Sequence, residues 1–433
     1  MTFYIQAAGC QMNISDTERI RTLLTDSGFT PGEEETADIL GIVACSVRQK
    51  SIDKVFARIN AWNRRKEKQP VITFLTGCVL PEDRVKFLKL FDLVFDTSEA
   101  MHLSDMIRQY GIVTGQENQD AFWKVTPSYD SPFEAFIPIQ NGCNNFCAYC
   151  AVPYTRGREV SRDPGEIVGE YQTLLDRGYR SVTLLGQNVN SYGLDRKGEL
   201  PGFPELLDRL GDLGDRAEKP VWLYYTAPHP KDMTDRVIEV MARHPSLARQ
   251  IHLPLQSGDN DILKRMNRHY TVEDYGRIID SIRKHLPDAT VFTDIIVGFP
   301  GETEEQFGNT ARAFERFRFD MAYIARYSPR PGAQSTGWGD DQPHEVKKER
   351  LNRLSVILKG IAEEKNRALT GRTLPVLVYG HNRSGKQLAG LTEGRVNIQF
   401  PPPDQARQIK SGEMVPVTIT GAQGLSLSGS FAG

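Results

Sequence analysis

Three cysteines within eight residues constrain this chain more than any other feature. The run Cys143-Asn-Asn-Phe-Cys147-Ala-Tyr-Cys150 follows a short β-like segment, Ala135–Ile139. A tight loop at a strand end can turn all three sulfurs toward one point, and thiolates suit iron–sulfur clusters and zinc. Three thiolates on a four-iron cubane leave one iron open to a further ligand. A structural zinc site wants a fourth Cys or His nearby. The nearest histidine in sequence, His102, belongs to a different expected domain.

The other three cysteines, Cys10, Cys45 and Cys78, are far apart, yet each comes just after an expected strand: Phe3–Ala7, Ile39–Val43 and Val71–Leu75. Helices are expected over Thr17–Ser27, closed by Gly28, and over Val47–Arg65, and a fourth strand over Leu93–Phe95. Apolar runs separated by helices imply parallel strands covered on both faces, hence a small doubly wound sheet. The strand ends of such a sheet share one edge, where open α/β folds gather ligands. Cys10, Cys45 and Cys78 are therefore expected to converge as a second three-thiol site. Gly9 and Gly77 directly precede two of them and would let backbone approach closely. The competing reading is three unrelated core cysteines, since Cys is a common buried residue.

Downstream, strands are expected at Ala135–Ile139, Ser181–Leu185, Val221–Tyr225, Gln250–Leu255, Thr290–Val297 and Met321–Tyr327, with helices such as Glu166–Arg177, Asp232–Arg243 and Val272–Lys284 between them. Six strand–helix units argue for a parallel sheet curved into a partial (β/α)6 barrel. Polar residues cluster where barrel enzymes keep their sites: Gln187 and Asn188 after the second strand, Thr226 and then His229 after the third, Gln256 and Ser257 after the fourth, and Asp294 within the fifth. Such a ring suits a ligand with ammonium, carboxylate, ribose and adenine groups. His229 and His252, taken singly, read as structural. A long polar helix, Pro343–Leu369, carries an apolar stripe at Leu351, Leu354, Leu358 and Ile361. Beyond Gly371, short β-like runs separated by Gly, Asn and Pro indicate a small all-β module, a five-stranded barrel. The expected division is residues 1–115, a linker over 116–132, a barrel core over 133–369 and the β module over 370–433.

With 433 residues the chain is too long for one ordinary core, and 39% hydrophobic with 25% charged residues is a globular composition. The start has neither basic n-region nor apolar h-region, and runs such as Val291–Pro300 are too short and polar to cross a bilayer. A cytoplasmic protein without membrane partner is expected, in which clustered cysteines serve metals or chemistry rather than disulfides. A net charge of −2 lends no support to nucleic-acid binding. Local basic stretches exist at Lys50–Lys68 and after Gly371; they could hold phosphates or simply be solvated faces.

The Cys143, Cys147, Cys150 spacing after a first barrel strand resembles the radical S-adenosylmethionine superfamily. The segments Asn141–Arg162, Leu184–Asn190, His252–Gly258 and Asp294–Glu302, together with the domain order, resemble the methylthiotransferases within it. Gly9-Cys10-Gln11-Met12-Asn13 and Cys45–Lys50 are similar to the MiaB-type branch, although Val43-Ala44 stand where the family mostly has Asn-Thr. That resemblance implies two [4Fe-4S] clusters, an auxiliary one on Cys10, Cys45 and Cys78 and a radical one on Cys143, Cys147 and Cys150. It implies S-adenosylmethionine held near Tyr149, Gln187, Asn188, Thr226, Gln256, Ser257 and Asp294. It also implies a 5′-deoxyadenosyl radical that abstracts hydrogen from C2 of an N6-isopentenylated adenosine 37, and methylthio transfer from the auxiliary site to that carbon. The all-β module becomes a TRAM domain gripping the tRNA anticodon stem-loop. A flavodoxin or ferredoxin-like electron donor, a sulfur source and a monomeric state are further implications. Other branches act on threonylcarbamoyl-adenosine tRNA or a ribosomal protein, and a non-catalytic zinc-containing RNA-binding protein is the alternative of a different class.

Overall fold

The computed structural model describes residues 1–46, 49–66, 71–109, 122–403 and 408–433. The chain forms two compact units. The first comprises Met1–Asp130, Gln140–Arg162 and Arg330–Thr336, and the second Ser131–Ile139, Asp163–Pro329 and Gly337–Gly433.

In the first unit, strands β1 (Thr2–Ala8), β2 (Thr30–Pro31), β3 (Ile39–Cys45), β4 (Ile72–Cys78) and β5 (Leu93–Val94) form one sheet in the order β2-β1-β3-β4-β5. Every pairing is parallel. All seven residues of β3 are buried, as expected of a strand covered on both faces. Ile39 and Val43 pack with Ile20 and Leu24 of helix α1 (Gln11–Asp26) on one face. Leu40 and Ile42 pack with Ile59 and Trp62 of α2 (Gln49–Lys66) on the other. The doubly wound sheet read from the sequence is thus present, with β2 as an extra edge strand.

Helix α1 starts at Gln11, six residues before the expected start at Thr17. The reason is local: Cys10 occupies the N-cap, and the Asn13 side chain accepts its amide at 3.2 Å. The first turns of α1 are buried despite being polar, Asn13 and Asp16 included, and so carry no apolar signature. The expected start of α2 at Val47 lies outside the described residues, as do residues 116–121 of the expected linker. The rest of that segment is not bare: Phe122 and Trp123 are buried, and Phe122 joins the core beneath α1. A short antiparallel ribbon, β7 (Gln140–Asn141) with β8 (Val160–Ser161), completes the unit's main elements.

The second unit contains six parallel strands: β6 (Glu134–Pro138), β9 (Ser181–Leu185), β10 (Trp222–Tyr225), β11 (Gln250–His252), β12 (Thr290–Val297) and β13 (Met321–Arg326). They are ordered β10-β9-β6 and β11-β12-β13. The expected single curved sheet is therefore two three-stranded halves. They are joined at a bridge, where the Leu223 amide donates to Ser246 O at 2.8 Å and the Ala248 amide to Leu223 O at 3.0 Å. β11 ends at His252 rather than the expected Leu255. Pro254 offers no amide, and Gln256 takes a φ of 69°, after which its amide and carbonyl rejoin β12 at Asp294 and Ile296.

The helix His344–Arg367 buries Leu354, Leu358 and Ile361 of the expected stripe while Leu351 stays half-buried, and it is pinned by a buried ion pair of Arg350 with Glu302 at 2.7 Å. Strands β14 (Thr373–His381), β15 (Leu388–Thr392), β16 (Asn397–Phe400), β17 (Met414–Gln423) and β18 (Ser426–Phe431) close into the five-stranded barrel. Its β15–β16 turn docks on the strands before it. The Tyr224 hydroxyl donates to Glu393 O at 3.0 Å, Thr290 Oγ1 to Gly394 O at 2.8 Å, and Arg395 to Thr183 Oγ1 at 2.8 Å while stacking on the Tyr224 ring. Among the described residues, no helix is long and apolar enough to cross a membrane.

Candidate functional site

The topology of the first unit brings its three dispersed cysteines together. β3 and β4 are neighbours in register with Cys45 opposite Cys78, each the last residue of a strand that runs longer than expected rather than a residue just beyond it. β1 flanks β3 on the other side and ends at Ala8, two residues before Cys10. Cys45 sits between the other two and is electrostatically coupled to both Cys10 and Cys78. The glycines make this approach possible. A Cβ on Gly9 would lie 2.7 Å from the Cys45 Cβ, and one on Gly77, whose φ is 107°, would lie 2.4 Å from Ala44 O. Asn13 ties the corner together, accepting from the Cys10 amide and donating to Ala44 O at 2.9 Å.

The electrostatics favour thiolates at the two flanking positions. The hydrogen bond from Cys45 pulls the Cys10 thiol down to about 6 against the opposing effect of burial, with the Arg156 charge assisting. Cys78 is lowered by the same causes, and Cys45, bonded to both, is raised. Arg156 is itself buried, its charge secured by Asp16 and Cys78 against the cost of burial. Its Nε donates to the Cys78 sulfur at 2.7 Å, Nη1 to Asn141 Oδ1 at 3.0 Å and Nη2 to Asp16 Oδ2 at 2.6 Å.

The second cysteine set lies on the loop enclosed by the β7–β8 ribbon. The Cys143 amide donates to Gly157 O at 3.2 Å, the Cys150 amide to Cys147 O at 2.9 Å, and Ala148 O receives the Ser335 amide at 2.8 Å. Backbone amides also point at sulfur, Asn145 N at Cys143 Sγ and Val152 N at Cys150 Sγ, at 3.5 and 3.4 Å. Tyr149 is half-buried in this loop. The three arginines after the loop separate by role. Arg156 reaches Cys78, Arg158 stacks on the Phe146 ring at 4.5 Å, and Arg162 donates to Trp123 O. Among the described residues, no three His, Cys, Asp or Glu side chains are set to ligate one metal ion. A four-iron cluster asks something different, because each thiolate binds its own iron.

In the second unit the strand ends carry buried polar atoms without hydrogen-bond partners: Gln187 Oε1, Asn188 Oδ1 and His229 Nε2. His229 accepts the Lys231 amide on Nδ1, which assigns the proton to Nε2, and burial with nearby Arg268 holds the ring neutral. Thr226 follows β10 and is half-buried. Asp294 accepts from His252 Nε2 at 2.9 Å. The Ser257 hydroxyl is fully buried, facing Thr310 and receiving the Asp259 amide, while Gln256 bridges β11 and β12 through its backbone.

Residues 2–96 match the Uncharacterized protein family UPF0004, and residues 137–314 match the Radical SAM superfamily. The tRNA-2-methylthio-N(6)-dimethylallyladenosine synthase of Geobacillus thermodenitrificans is 37% identical, over 99% of this chain and 83% of that protein. The protein of the same name from Treponema denticola is 37% identical over 93% of this chain and 95% of its own length. The chain belongs to this synthase family. Among solved structures, the radical S-adenosylmethionine methyltransferase TsrM from Kitasatospora setae shares the fold with a TM-score of 0.56 at 13% identity, over 77% of this chain and 75% of that one. The cobalamin-dependent S-adenosylmethionine radical enzyme OxsB does so with a TM-score of 0.53 at 13% identity, over 83% and 57%.

Within this synthase-family chain, sequence reasoning named all six cysteines but not the side chains that organise them. Asn13 stood inside the Gly9–Asn13 motif without a role, and Arg156 inside the Asn141–Arg162 segment without one. His229 read as structural, yet it carries one of the unpartnered nitrogens. Asp16 gave no signal, since a single carboxylate in a polar helix start has no pattern to betray it.

Proposed function

We propose that this chain is a tRNA-2-methylthio-N6-dimethylallyladenosine synthase, attaching a methylthio group at C2 of an N6-isopentenylated adenosine 37 in tRNA. The observation that carries the reading is the presence of two cysteine triads in one compact unit, each at a constrained strand end or loop. Both donor sets fit a [4Fe-4S] cluster: three soft sulfur ligands apiece, with Cys10 and Cys78 biased toward thiolate and backbone amides aimed at Cys143 and Cys150. With S-adenosylmethionine, such clusters supply one-electron cleavage of that cofactor and the sulfur of the product.

The chain's own residues bind, orient and exclude water. Gln187 Oε1 and Asn188 Oδ1 are acceptors suited to an ammonium or ribose hydroxyl, and the His229 Nε2–H is a donor suited to a carboxylate or ring nitrogen. Left unmade, each such buried group costs about 1–3 kcal/mol, so a polar ligand there gains affinity by satisfying them. Thr226, Gln256, Ser257 and Asp294 complete the proposed cofactor-binding set of the second unit, and Tyr149 is the proposed cofactor contact on the cysteine loop of the first. Residues 1–115 hold the auxiliary cysteines, 133–369 form the radical core and 370–433 grip RNA. The small barrel exposes Tyr379, Arg383, Lys386 and Lys410, groups suited to base stacking and phosphate contact. A flavodoxin or ferredoxin-like donor supplies electrons, and a separate sulfur source restores the auxiliary site.

The test is iron and sulfide content after anaerobic reconstitution, paired with a single-turnover assay on isopentenylated tRNA. About eight irons per chain, two four-iron clusters, together with methylthiolated product is the expected result. Zinc in place of iron overturns the radical chemistry. Eight irons without product overturns the substrate and points to threonylcarbamoyl-adenosine tRNA or a ribosomal protein.

A further inference from the structure

The guanidinium of Arg156 spends its three arms on three different segments. Nε donates to Cys78 Sγ at the end of β4, Nη2 to Asp16 in α1, and Nη1 to Asn141, two residues before Cys143. Both charged partners are removed from water, with side-chain exposures of 4% for Arg156 and 5% for Asp16. A salt bridge serving only to fasten α1 would direct two guanidinium nitrogens at the carboxylate. Here the single Nε proton is given to a sulfur, and Asp16 holds the plane that makes this possible.

We infer that Arg156 is a positioning residue that sets the reduction potential of the cluster on Cys78, with Asp16 as its counterweight. The inference rests on the reading of Cys10, Cys45 and Cys78 as cluster ligands. Its physical basis is that reduction adds one negative charge to the cluster. A buried cation in hydrogen-bond contact with a ligand sulfur stabilises the reduced form, and a buried anion beside that cation opposes it. Groups outside the ligand shell are the protein's lever on a metal site whose ligands are fixed. The same three contacts link the Cys78 corner to the segment leading into Cys143, so a single side chain ties both cysteine sets to a common frame.

The experiment uses the full chain carrying Cys143→Ala, Cys147→Ala and Cys150→Ala, which leaves one cluster to load. Its midpoint potential is read by electron paramagnetic resonance during a dithionite titration that supplies the single electron. Arg156→Gln and Asp16→Asn are then introduced separately. The expected shifts have opposite signs. Arg156→Gln makes reduction harder, raising the oxidised-to-reduced ratio at fixed ambient potential at least tenfold, or 59 mV for a one-electron couple. Asp16→Asn makes it easier. A residue that merely holds the fold together would lower iron loading or stability without moving the potential in opposite directions. Unchanged potentials, or shifts of the same sign, overturn the inference. If one variant fails to hold iron, the sign in the other decides. Failure of the parent to load about four irons would instead overturn the assignment of the cysteines, so the two failures are distinguishable.

Discussion

Arg156 Nε lies 2.7 Å from the sulfur of Cys78, and the same guanidinium meets Asp16 Oδ2 at 2.6 Å with both side chains out of water. Removing one partner of a buried ion pair leaves an uncompensated charge, which costs about 3–5 kcal/mol. Asp16→Ala is therefore expected to destabilise the iron-free protein by about 3 kcal/mol. Asp16→Leu combined with Arg156→Met should recover most of the loss, because an apolar pair leaves no buried charge unpaired. Urea unfolding monitored by circular dichroism checks both. A double variant no more stable than the single one would show that the hydrogen bonds to Cys78 and Asn141 dominate.

On the proposed assignment the two cysteine sets divide the labour, and single substitutions separate them. Cys147→Ala is expected to abolish cleavage of S-adenosylmethionine, whereas Cys45→Ala should spare cleavage and stop methylthiolation. Chromatography of 5′-deoxyadenosine beside mass spectrometry of the tRNA reads both steps. Equal loss of cleavage in the two variants would contradict the division.

Gly77 has a φ of 107°, and a Cβ there would sit 2.4 Å from Ala44 O. Backbone cannot yield as a flexible side chain can, so Gly77→Ala must part β3 from β4 next to Cys45 and Cys78. Strain of this kind costs about 1–3 kcal/mol. Iron bound per chain after reconstitution of the triple Cys143, Cys147, Cys150 variant should fall well below that of its parent. Normal loading would mean that the strand ends can separate without dispersing the thiols.

His244 is buried between Asp208 and Asp215, with ring-to-carboxylate distances of 2.9 and 2.7 Å. Burial alone would lower its pKa, but the two carboxylates outweigh it and raise the value above the usual 6.5. A raised folded-state pKa adds stability that is complete below the unfolded value and is lost as pH rises through the folded one. Both aspartates are shifted down: the His244 hydrogen bond leads for Asp208, while for Asp215 burial opposes and its hydrogen bonds to His244 and Ser246 prevail. Their share is therefore lost in acid. The difference in Tm between the parent and His244→Gln should be largest near pH 6 and shrink toward pH 9. A difference independent of pH would mean that the ring acts through packing alone.

The Thr392–Val396 turn holds the small barrel to the strands of the second unit through Glu393, Gly394 and Arg395. Arg395 lies 4.1 Å from the Tyr224 ring centroid, a cation–π contact worth up to about 2 kcal/mol when desolvated. Arg395→Ala should make the segment before β14 a site of limited proteolysis while the released barrel stays intact, as seen on a gel with mass spectrometry. Protection equal to that of the parent would show that the Glu393 and Gly394 contacts suffice.

By itself the sequence determined a great deal. Apolar runs of strand length placed β1, β3, β4 and the six strands of the second unit to within a few residues, because burial on both faces leaves a contiguous signature. The all-β module was legible from its turn residues. All six cysteines were named, three by close spacing and three because strand ends in a parallel sheet share an edge. What the sequence could not show depends on partners distant in the chain. Helix α1 begins early because Asn13 caps Cys10 and binds Ala44 O, so a polar stretch without periodicity still folds as a buried helix. The sheet parts between β10 and β11, where pairing narrows to a single bridge. Arg156 takes its meaning from Asp16, 140 residues away, and from Cys78, 78 residues away. A charge in the sequence states only that it needs a partner. Which partner it finds, and whether water is excluded around the pair, is decided when the chain closes on itself.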